Sequence, residues 1–70
     1  MDASLRRLGR RLRSLRKEAG LTQPQFAERA MLDEKHYQAI EAGGSNVTFA
    51  TLIAVAKAHG LSLAELLEGV

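Results

Sequence analysis

Residues 21–43, LTQPQFAERAMLDEKHYQAIEAG, decide the fold of this chain, because they predict two short helices joined by a tight turn. Thr22 is a good N-cap for the first helix, and Gln25 stands where a capping box requires Glu or Gln. Pro24 is tolerated beside it, since the amides of a first helical turn have no partner within the helix. Asp33 is expected to cap the second helix.

Met31 and Leu32 form the predicted connection, and Gly43 is expected to end the second helix, since glycine accepts the left-handed conformation without steric cost. The apolar residues at helical spacing are Phe26, Ala27 and Ala30 on the first helix and Tyr37 and Ile40 on the second. Two helices of about nine residues cannot bury their own apolar stripes, so the pair must belong to a larger bundle. Many small proteins enter the major groove of DNA with such a pair.

The flanking segments predict three more helices. Apolar residues recur every three or four positions over 4–19, which predicts an amphipathic helix that Gly20 ends. Thr48 is expected to cap a fourth helix that ends at Gly60. Its apolar contacts are expected from Phe49, Leu52, Ile53, Val55 and Ala56. Ser62 opens a fifth, short helix through a Ser-x-x-Glu capping box.

No segment alternates with period two, so we expect an all-α fold without strands, organised as a single domain over 1–70. The chain has 46% hydrophobic residues and no cysteine, which is typical of a small soluble domain in a reducing cytoplasm. Nothing approaches the roughly 20 apolar residues of a membrane span. We expect no enzyme, no metal and no cofactor, because the chain has no cysteine nucleophile, no Ser–His–acid signature and no ligand cluster.

Charge is distributed unevenly along the chain. Seven of the ten basic residues lie in the first 17 positions, so residues 1–20 carry a net charge of about +5 and the remainder about −3. This pattern is compatible with a solvated helix face, and equally with a polyanion bound nearby.

Four pieces of the sequence, taken together, resemble one family. They are LGRRLRSLRKEAGLTQPQFAERA, LDEKHYQAIEAG, NVTFATLIAVAKAHG and SLAELL, in this order and over nearly the whole chain. The chain resembles the Cro/repressor-type helix-turn-helix domains known as the XRE family. The resemblance implies a compact, five-helix, lambda-repressor-like DNA-binding domain with a central helix-turn-helix. It is similar to stand-alone members such as phage repressors, restriction–modification controllers and some antitoxins.

The second helix of the pair is the expected reader of DNA bases. With Tyr37 and Ile40 facing inward, helical geometry points Lys35, Gln38 and Ala39 outward. The resemblance places base-reading positions at Glu34, Lys35 and Ala39, with His36 and Gln38 adjacent. Lysine can donate to guanine, glutamine can pair with adenine, glutamate can accept from cytosine, and alanine can contact a thymine methyl group. Glu34 could instead serve only the helix dipole, and His36 could be a solvated surface residue.

Contacts to phosphates are expected at two other places. Gln23 lies at a helix N-terminus, where free amides and the dipole attract a phosphate, although a purely local capping role stays open. Ser45, Asn46 and Thr48 occupy the loop and cap where family members often touch the backbone. This loop lacks the Arg or Lys that is common there, and Asn46 could merely support the turn.

The resemblance also implies a largely buried salt bridge between Arg16 and Glu41. His59 is expected to favour the negative C-terminal end of the fourth helix. A homodimer is expected because one small module reads only a few base pairs. The candidate dimer interface consists of Leu63, Leu66, Leu67 and Val70, with core packing as the alternative for Leu63 and Leu66.

These features predict sequence-specific binding of double-stranded DNA by a homodimer on a palindromic operator, with repression or autoregulation of transcription in the cytoplasm, at the nucleoid. The second hypothesis is an antitoxin-like module that binds a partner protein, such as a toxin, and its own promoter. RNA polymerase is a further candidate protein partner.

Overall fold

Five helices in sequence order form the structure, a computed structural model that describes residues 3–70. They are α1 (Ala3–Glu18), α2 (Gln23–Arg29), α3 (Glu34–Glu41), α4 (Phe49–His59) and α5 (Leu63–Leu66). No strand is present over 3–70, and the predicted all-α, five-helix fold is confirmed. None of the helices in this range is long and apolar enough to cross a membrane.

Side-chain caps begin four of the helices, each at the residue that the sequence indicates. The Thr22 hydroxyl accepts from the Gln25 amide, and the Gln25 side chain accepts from the Thr22 amide, which completes a capping box. Ser62 and Glu65 form the same reciprocal pair at α5. Asp33 accepts from His36 N at 3.0 Å, and Thr48 caps α4. These bonds occupy amides that have no acceptor within their own helix.

The core lies between the five helices and consists of one continuous cluster. Its buried members are Leu8, Leu12, Phe26, Ala27, Ala30, Tyr37, Ile40, Val55, Ala56 and Leu66. The rings of Phe26 and Tyr37 meet at 5.1 Å between centroids and join α2 to α3. Every helix contributes at least one fully or nearly fully buried side chain, so the helix pair is supported by the whole bundle.

Close approach between α1 and the end of α3 depends on two glycines. A Cβ atom at Gly9 would lie 2.2 Å from the carbonyl oxygen of Glu41, and one at Gly43 would lie 2.9 Å from the Cα of Arg6. Neither distance is sterically allowed, so the two backbones can meet only where these side chains are absent. Glycine within a helix costs about 1 kcal/mol relative to alanine, which is the cost of the close approach at Gly9.

Arg11 ties α1 to the last helix. Its Nε donates to the carbonyl of Leu66 at 3.0 Å, and its Nη2 donates to the carbonyl of Glu65 at 2.8 Å. These carbonyls lie at the C-terminal end of α5, where the helix leaves acceptors unpaired. A four-residue helix is thereby held against the bundle by a basic side chain that is distant in sequence.

Three expectations from sequence are corrected here. Phe49 is 67% exposed instead of contributing to the core. Leu66 is fully buried within its own chain, which leaves it no surface for a dimer interface. The ring of His59 stacks on Phe26 at 4.4 Å, and burial, together with the charges of Arg29 and Arg11, lowers the pKa of His59. The neutral imidazole is therefore favoured, and His59 does not act as a cation at the end of α4.

The turn between α2 and α3 contains a strained residue. Met31 has φ of 58°, the one positive φ outside glycine in the part of the chain that the structure describes, and its side chain is 92% exposed. A left-handed backbone costs an L-residue roughly 1–2 kcal/mol. Exposure to solvent returns no packing energy for that cost.

Replacing Met31 with glycine is expected to raise the free energy of unfolding by about 1 kcal/mol, because glycine adopts this φ without a Cβ clash. Urea denaturation monitored by circular dichroism measures the change. The matched control is Gly20→Ala, because Gly20 has φ of 73° and no atom lies within 4 Å of the new Cβ. This substitution should lower the free energy of unfolding by a similar amount. A Met31→Gly variant no more stable than the wild type would contradict the assigned strain.

Candidate nucleic-acid interface

The N-terminal half of α3 presents its side chains to solvent. Glu34, Lys35 and His36 are exposed, while Tyr37 and Ile40 are buried on the opposite face. Gln38 and Ala39 are half-buried at the edges of the helix. The structure therefore brings all five candidate base-reading residues onto one helix, where Lys35 is exposed together with Glu34 and His36.

Gln38 and Glu34 are paired on this surface. The Gln38 Nε2 donates to Glu34 Oε2 at 2.9 Å across one helical turn. The bond orients both side chains and leaves the second amide hydrogen and the carbonyl oxygen of Gln38 available to a base edge. Asp33, in contrast, is engaged as the cap of α3. Asp33 therefore caps α3, whereas Glu34 orients the side chain of Gln38.

A hydrogen-bonded cluster supports α3 on its buried side, and we call it the Glu41 network. Arg16 Nε donates to Glu41 Oε2 at 2.7 Å, and Arg16 Nη2 donates to Oε1 at 3.1 Å. The two side chains are 11% and 4% exposed. The structure thus contains the largely buried salt bridge that the family resemblance implied.

Three further groups complete the Glu41 network. The Tyr37 hydroxyl donates to Glu41 Oε2, and Gln23 Nε2 donates to Oε1 at 3.1 Å. Arg16 Nη1 donates to the carbonyl of Leu21 at 2.9 Å. One carboxylate therefore connects α1, the start of α2 and the end of α3, and each of its oxygens accepts two bonds.

The pKa values within this network follow from its bonding. Burial by itself raises the pKa of Glu41, but hydrogen bonds from Arg16, Tyr37 and Gln23 outweigh it, so the pKa lies below its usual value. Hydrogen bonding to Glu41 raises the pKa of Arg16. Burial and the bond to Glu41 raise the pKa of Tyr37 far above its ordinary value. The ion pair and the neutral phenol are therefore the stable forms at neutral pH.

Gln23 lies at the N-terminus of α2, where a phosphate contact was expected. One hydrogen of its side-chain amide is donated to Glu41, which fixes the direction of the half-buried side chain. Sequence reasoning treated Gln23 and Glu41 separately. The hydrogen bond between them could not be predicted, because it joins residues 18 positions apart and no short sequence pattern indicates it.

The loop between α3 and α4 holds the remaining candidate phosphate contacts. Ser45 Oγ donates to the carbonyl of Asn46 at 3.1 Å, and Thr48 Oγ1 donates to Thr51 Oγ1 at 3.0 Å. Asn46 is exposed. The two hydroxyls therefore shape the loop and the start of α4, and Asn46 is the loop side chain most accessible to a ligand.

Apolar surface occurs at the start of α4 and at the C-terminus. Phe49 is 67% exposed, Ile53 one turn later is half-buried, and Val70 is 36% exposed. Leu63 and Leu67 are half-buried and pack against the core. Sequence periodicity placed Phe49 in the core because it shares the spacing of Leu52 and Ala56. The first residue of a helix, however, extends beyond the elements that cover the later turns.

The comparisons with known proteins agree with this geometry. Residues 7–68 match the family model described as a helix-turn-helix domain. The chain is 41% identical over 56 residues to the immunity repressor protein of Bacillus phage phi105, a match that covers 80% of this chain. It spans only 39% of the length of that repressor.

Two solved structures are similar over most of the chain. The restriction-modification controller protein C.AhdI from Aeromonas hydrophila superimposes with a TM-score of 0.89 at 34% identity, covering 93% of this chain and 98% of that one. The clp gene regulator ClgR from Corynebacterium glutamicum has a TM-score of 0.87 at 30% identity, covering 96% of this chain and 71% of that one.

Replacing Glu41 with glutamine is expected to destabilise the fold by about 3–5 kcal/mol, because it leaves the buried guanidinium of Arg16 without its countercharge. Tyr37→Phe, the control, removes one hydrogen bond and keeps the ion pair, so its loss should be nearer 1 kcal/mol. Chemical denaturation at pH 7 compares the two. Equal losses would show that the ion pair is not the main contribution of Glu41.

The same network has a defined pH dependence. Since the folded pKa of Glu41 is lowered, its stabilisation is complete above the unfolded value of about 4.5 and is lost as the pH falls through the folded pKa. The wild type should therefore lose stability below about pH 4.5 more steeply than Glu41→Gln. Parallel slopes of unfolding free energy against pH would contradict this.

Proposed function

The chain belongs to the XRE-type helix-turn-helix family of DNA-binding proteins, and on that premise we propose that it regulates transcription as a homodimer on a palindromic operator. Repression by occlusion of a promoter, or autoregulation of its own, is the mode of action that we favour. A regulator of this kind acts at the nucleoid in the cytoplasm.

One observation supports this proposal: the N-terminal half of α3 is exposed, while the buried Glu41 network holds the same helix in place through Tyr37 and Glu41. In proteins with this motif, the N-terminal residues of the second helix contact base edges in the major groove. Lys35 reaches outward without a side-chain partner among the described residues, so its ammonium can donate to guanine O6 and N7. Because the Glu41 network holds α3 in place, little entropy is lost when the helix is positioned in the groove.

The neighbouring residues have complementary tasks in this proposal. Gln38 pairs with adenine while Glu34 holds its amide, and Glu34 itself accepts from cytosine N4 where that base is present. His36 donates to a base or a phosphate, and Ala39 contacts a thymine methyl group. Gln23 and Asn46 contact phosphates on either side of the groove, with Ser45 and Thr48 contributing neutral contacts from the loop and the α4 cap.

The homodimer supplies the second half-site. We assign its interface to Leu63, Leu67 and Val70, and we add the exposed Phe49 and the half-buried Ile53, which lie one turn apart on α4. Phe49 is 67% exposed, against 36% for Val70. The chain measures 27 × 24 × 22 Å, so two copies side by side can place their α3 helices in successive major grooves about 34 Å apart.

A protein partner is the second candidate function, favoured by a groove between the α2–α3 turn and α4. Its volume is about 440 Å³, and Met31 lies 92% exposed beside it. The groove is lined by Arg29, Ala30, Met31, Ala54, Lys57 and Ala58. An antitoxin-like module would hold its partner in a stable heteromeric complex, and Met31→Glu would weaken that complex while leaving DNA binding unchanged.

In vitro selection from a random duplex pool is expected to enrich a palindromic motif. Lys35→Ala should then lower affinity for the enriched duplex by about 1–3 kcal/mol for each half-site, about five- to 150-fold for each, and relax preference at one base pair of each half-site. The matched control is Lys57→Ala, which removes the same charge from α4. Absence of any enriched motif at moderate salt would refute the function, and unchanged affinity and motif in Lys35→Ala would refute the assignment of α3 as reader.

Phe49→Glu is expected to shift the protein from dimer to monomer, because a carboxylate at the centre of an apolar interface is left desolvated and unpaired. Sedimentation equilibrium measures the association constant. As a control, Met31→Glu changes another exposed apolar residue, elsewhere on the surface, and should leave the dimer intact. Retention of the dimer in Phe49→Glu would exclude this residue from the interface.

A further inference from the structure

Three basic side chains of α1 have no function in the site described so far. Arg10, Arg13 and Lys17 are exposed, and within residues 3–70 none of them has a carboxylate oxygen within 4.0 Å. We call these three residues the α1 stripe. Arg16, by contrast, is buried in the Glu41 network, and Arg11 is bound to α5.

The α1 stripe lies beside α3. Gly9 and Arg16 mark the side of α1 that contacts α3, through the backbone approach to Glu41 and through the salt bridge. At 100° per residue, Arg13, Lys17 and Arg10 lie about 40°, 80° and 100° around the helix from Gly9. All three turn away from the core in the same sense, with Arg13 nearest the side that contacts α3, while Arg10 also borders an open cleft that Glu68 and Gly69 line.

The stripe carries an energetic cost for an isolated protein. Arg13 and Lys17 are four residues apart, and Arg10 and Arg13 are three apart, spacings at which like charges on a helix repel. A solvated helix face usually alternates acidic and basic residues at these spacings, whereas Glu18 is the one acidic residue of α1. A bound polyanion would relieve this repulsion.

Binding of DNA requires positive charge that α3 does not supply. Lys35 is the one lysine or arginine on α3 and lies next to the carboxylates of Asp33 and Glu34, while Glu41 is already paired with Arg16. The loop over 43–47 contains no Arg or Lys. Duplex DNA carries one negative charge per about 1.7 Å of its axis, so the protein must provide cations next to the reading helix.

We propose that the α1 stripe binds the phosphates of the DNA strand that borders the major groove occupied by α3. From Arg10 to Lys17 the helix rises about 10 Å, which matches about three phosphates at 3.4 Å of axial rise per nucleotide. The α1 stripe thus supplies sequence-independent affinity, and α3 supplies sequence preference. This inference rests on the proposed function.

The test compares two double variants that change net charge equally. Arg13→Gln/Lys17→Gln removes two cations of the stripe, and Arg29→Gln/Lys57→Gln removes two cations that line the groove between α2 and α4. Glutamine is a good helix former, so the helices are preserved, and circular dichroism with thermal unfolding confirms the fold of both proteins. Fluorescence anisotropy measures affinity for the selected duplex and for a scrambled duplex from 50 to 200 mM KCl.

In the homodimer each protomer loses two phosphate contacts, so the stripe variant is expected to make the slope of log K against log salt concentration less negative by about 3.6, or 0.9 for each contact, on both duplexes. The affinity deficit of the variant dimer relative to the wild type should shrink about 150-fold from 50 to 200 mM salt. The sequence preference should stay unchanged. The control variant should keep the wild-type slope.

Two outcomes would overturn the stripe assignment while leaving the proposed function intact. One is an unchanged slope in the stripe variant, and the other is an equal decrease in the control, which would indicate a general field effect of net charge. Variant-sensitive binding to vesicles containing phosphatidylserine with an unchanged DNA slope would likewise refute it. A different result would refute the proposed operator specificity and leave the stripe assignment intact. In that case the wild type would bind the selected and the scrambled duplex with equal affinity, while the stripe variant would still change the salt slope.

Discussion

The buried carboxylate of Glu41 is the group on which the arrangement of the helices depends. It accepts hydrogen bonds from Arg16 on α1, Gln23 at the start of α2 and Tyr37 on α3, so three elements meet at one side chain. A buried ion pair adds little net stability over an apolar contact. Loss of either partner, however, leaves an uncompensated buried charge, which is strongly destabilising. We infer that its main contribution is to fix the orientation of the helix pair, since misaligned helices would leave a buried charge unpaired.

That orientation also requires the backbones of α1 and α3 to approach closely. Gly9 and Gly43 make the approach sterically allowed, and Arg16 lies on the same side of α1 as Gly9. The remaining surface of α1 is consequently held at a fixed position next to the C-terminal end of α3. In the function that we propose, this geometry separates two tasks: α3 distinguishes bases, and α1 supplies the charge that attracts phosphates.

Much of the fold could be predicted from sequence because its helix boundaries are set locally. Thr22, Asp33, Thr48 and Ser62 bond to amides three residues ahead, so their function is visible in a short window of sequence. The inward faces of α1 and α3 follow from helical periodicity in the same way. Less of the candidate site could be predicted, since Gln23 and Arg11 act through partners 18 and 54 or 55 positions away.

The sequence by itself determined where helices begin and end and which residues of each face inward, because capping and periodicity operate over three or four residues. Only the tertiary structure decided which inward-facing residues find a core. Leu66 is fully buried under its neighbours, whereas Phe49, with the same apolar character and helical spacing, is 67% exposed. The physical reason is that burial depends on how far the neighbouring helices extend in space, and helix periodicity carries no information about those distances.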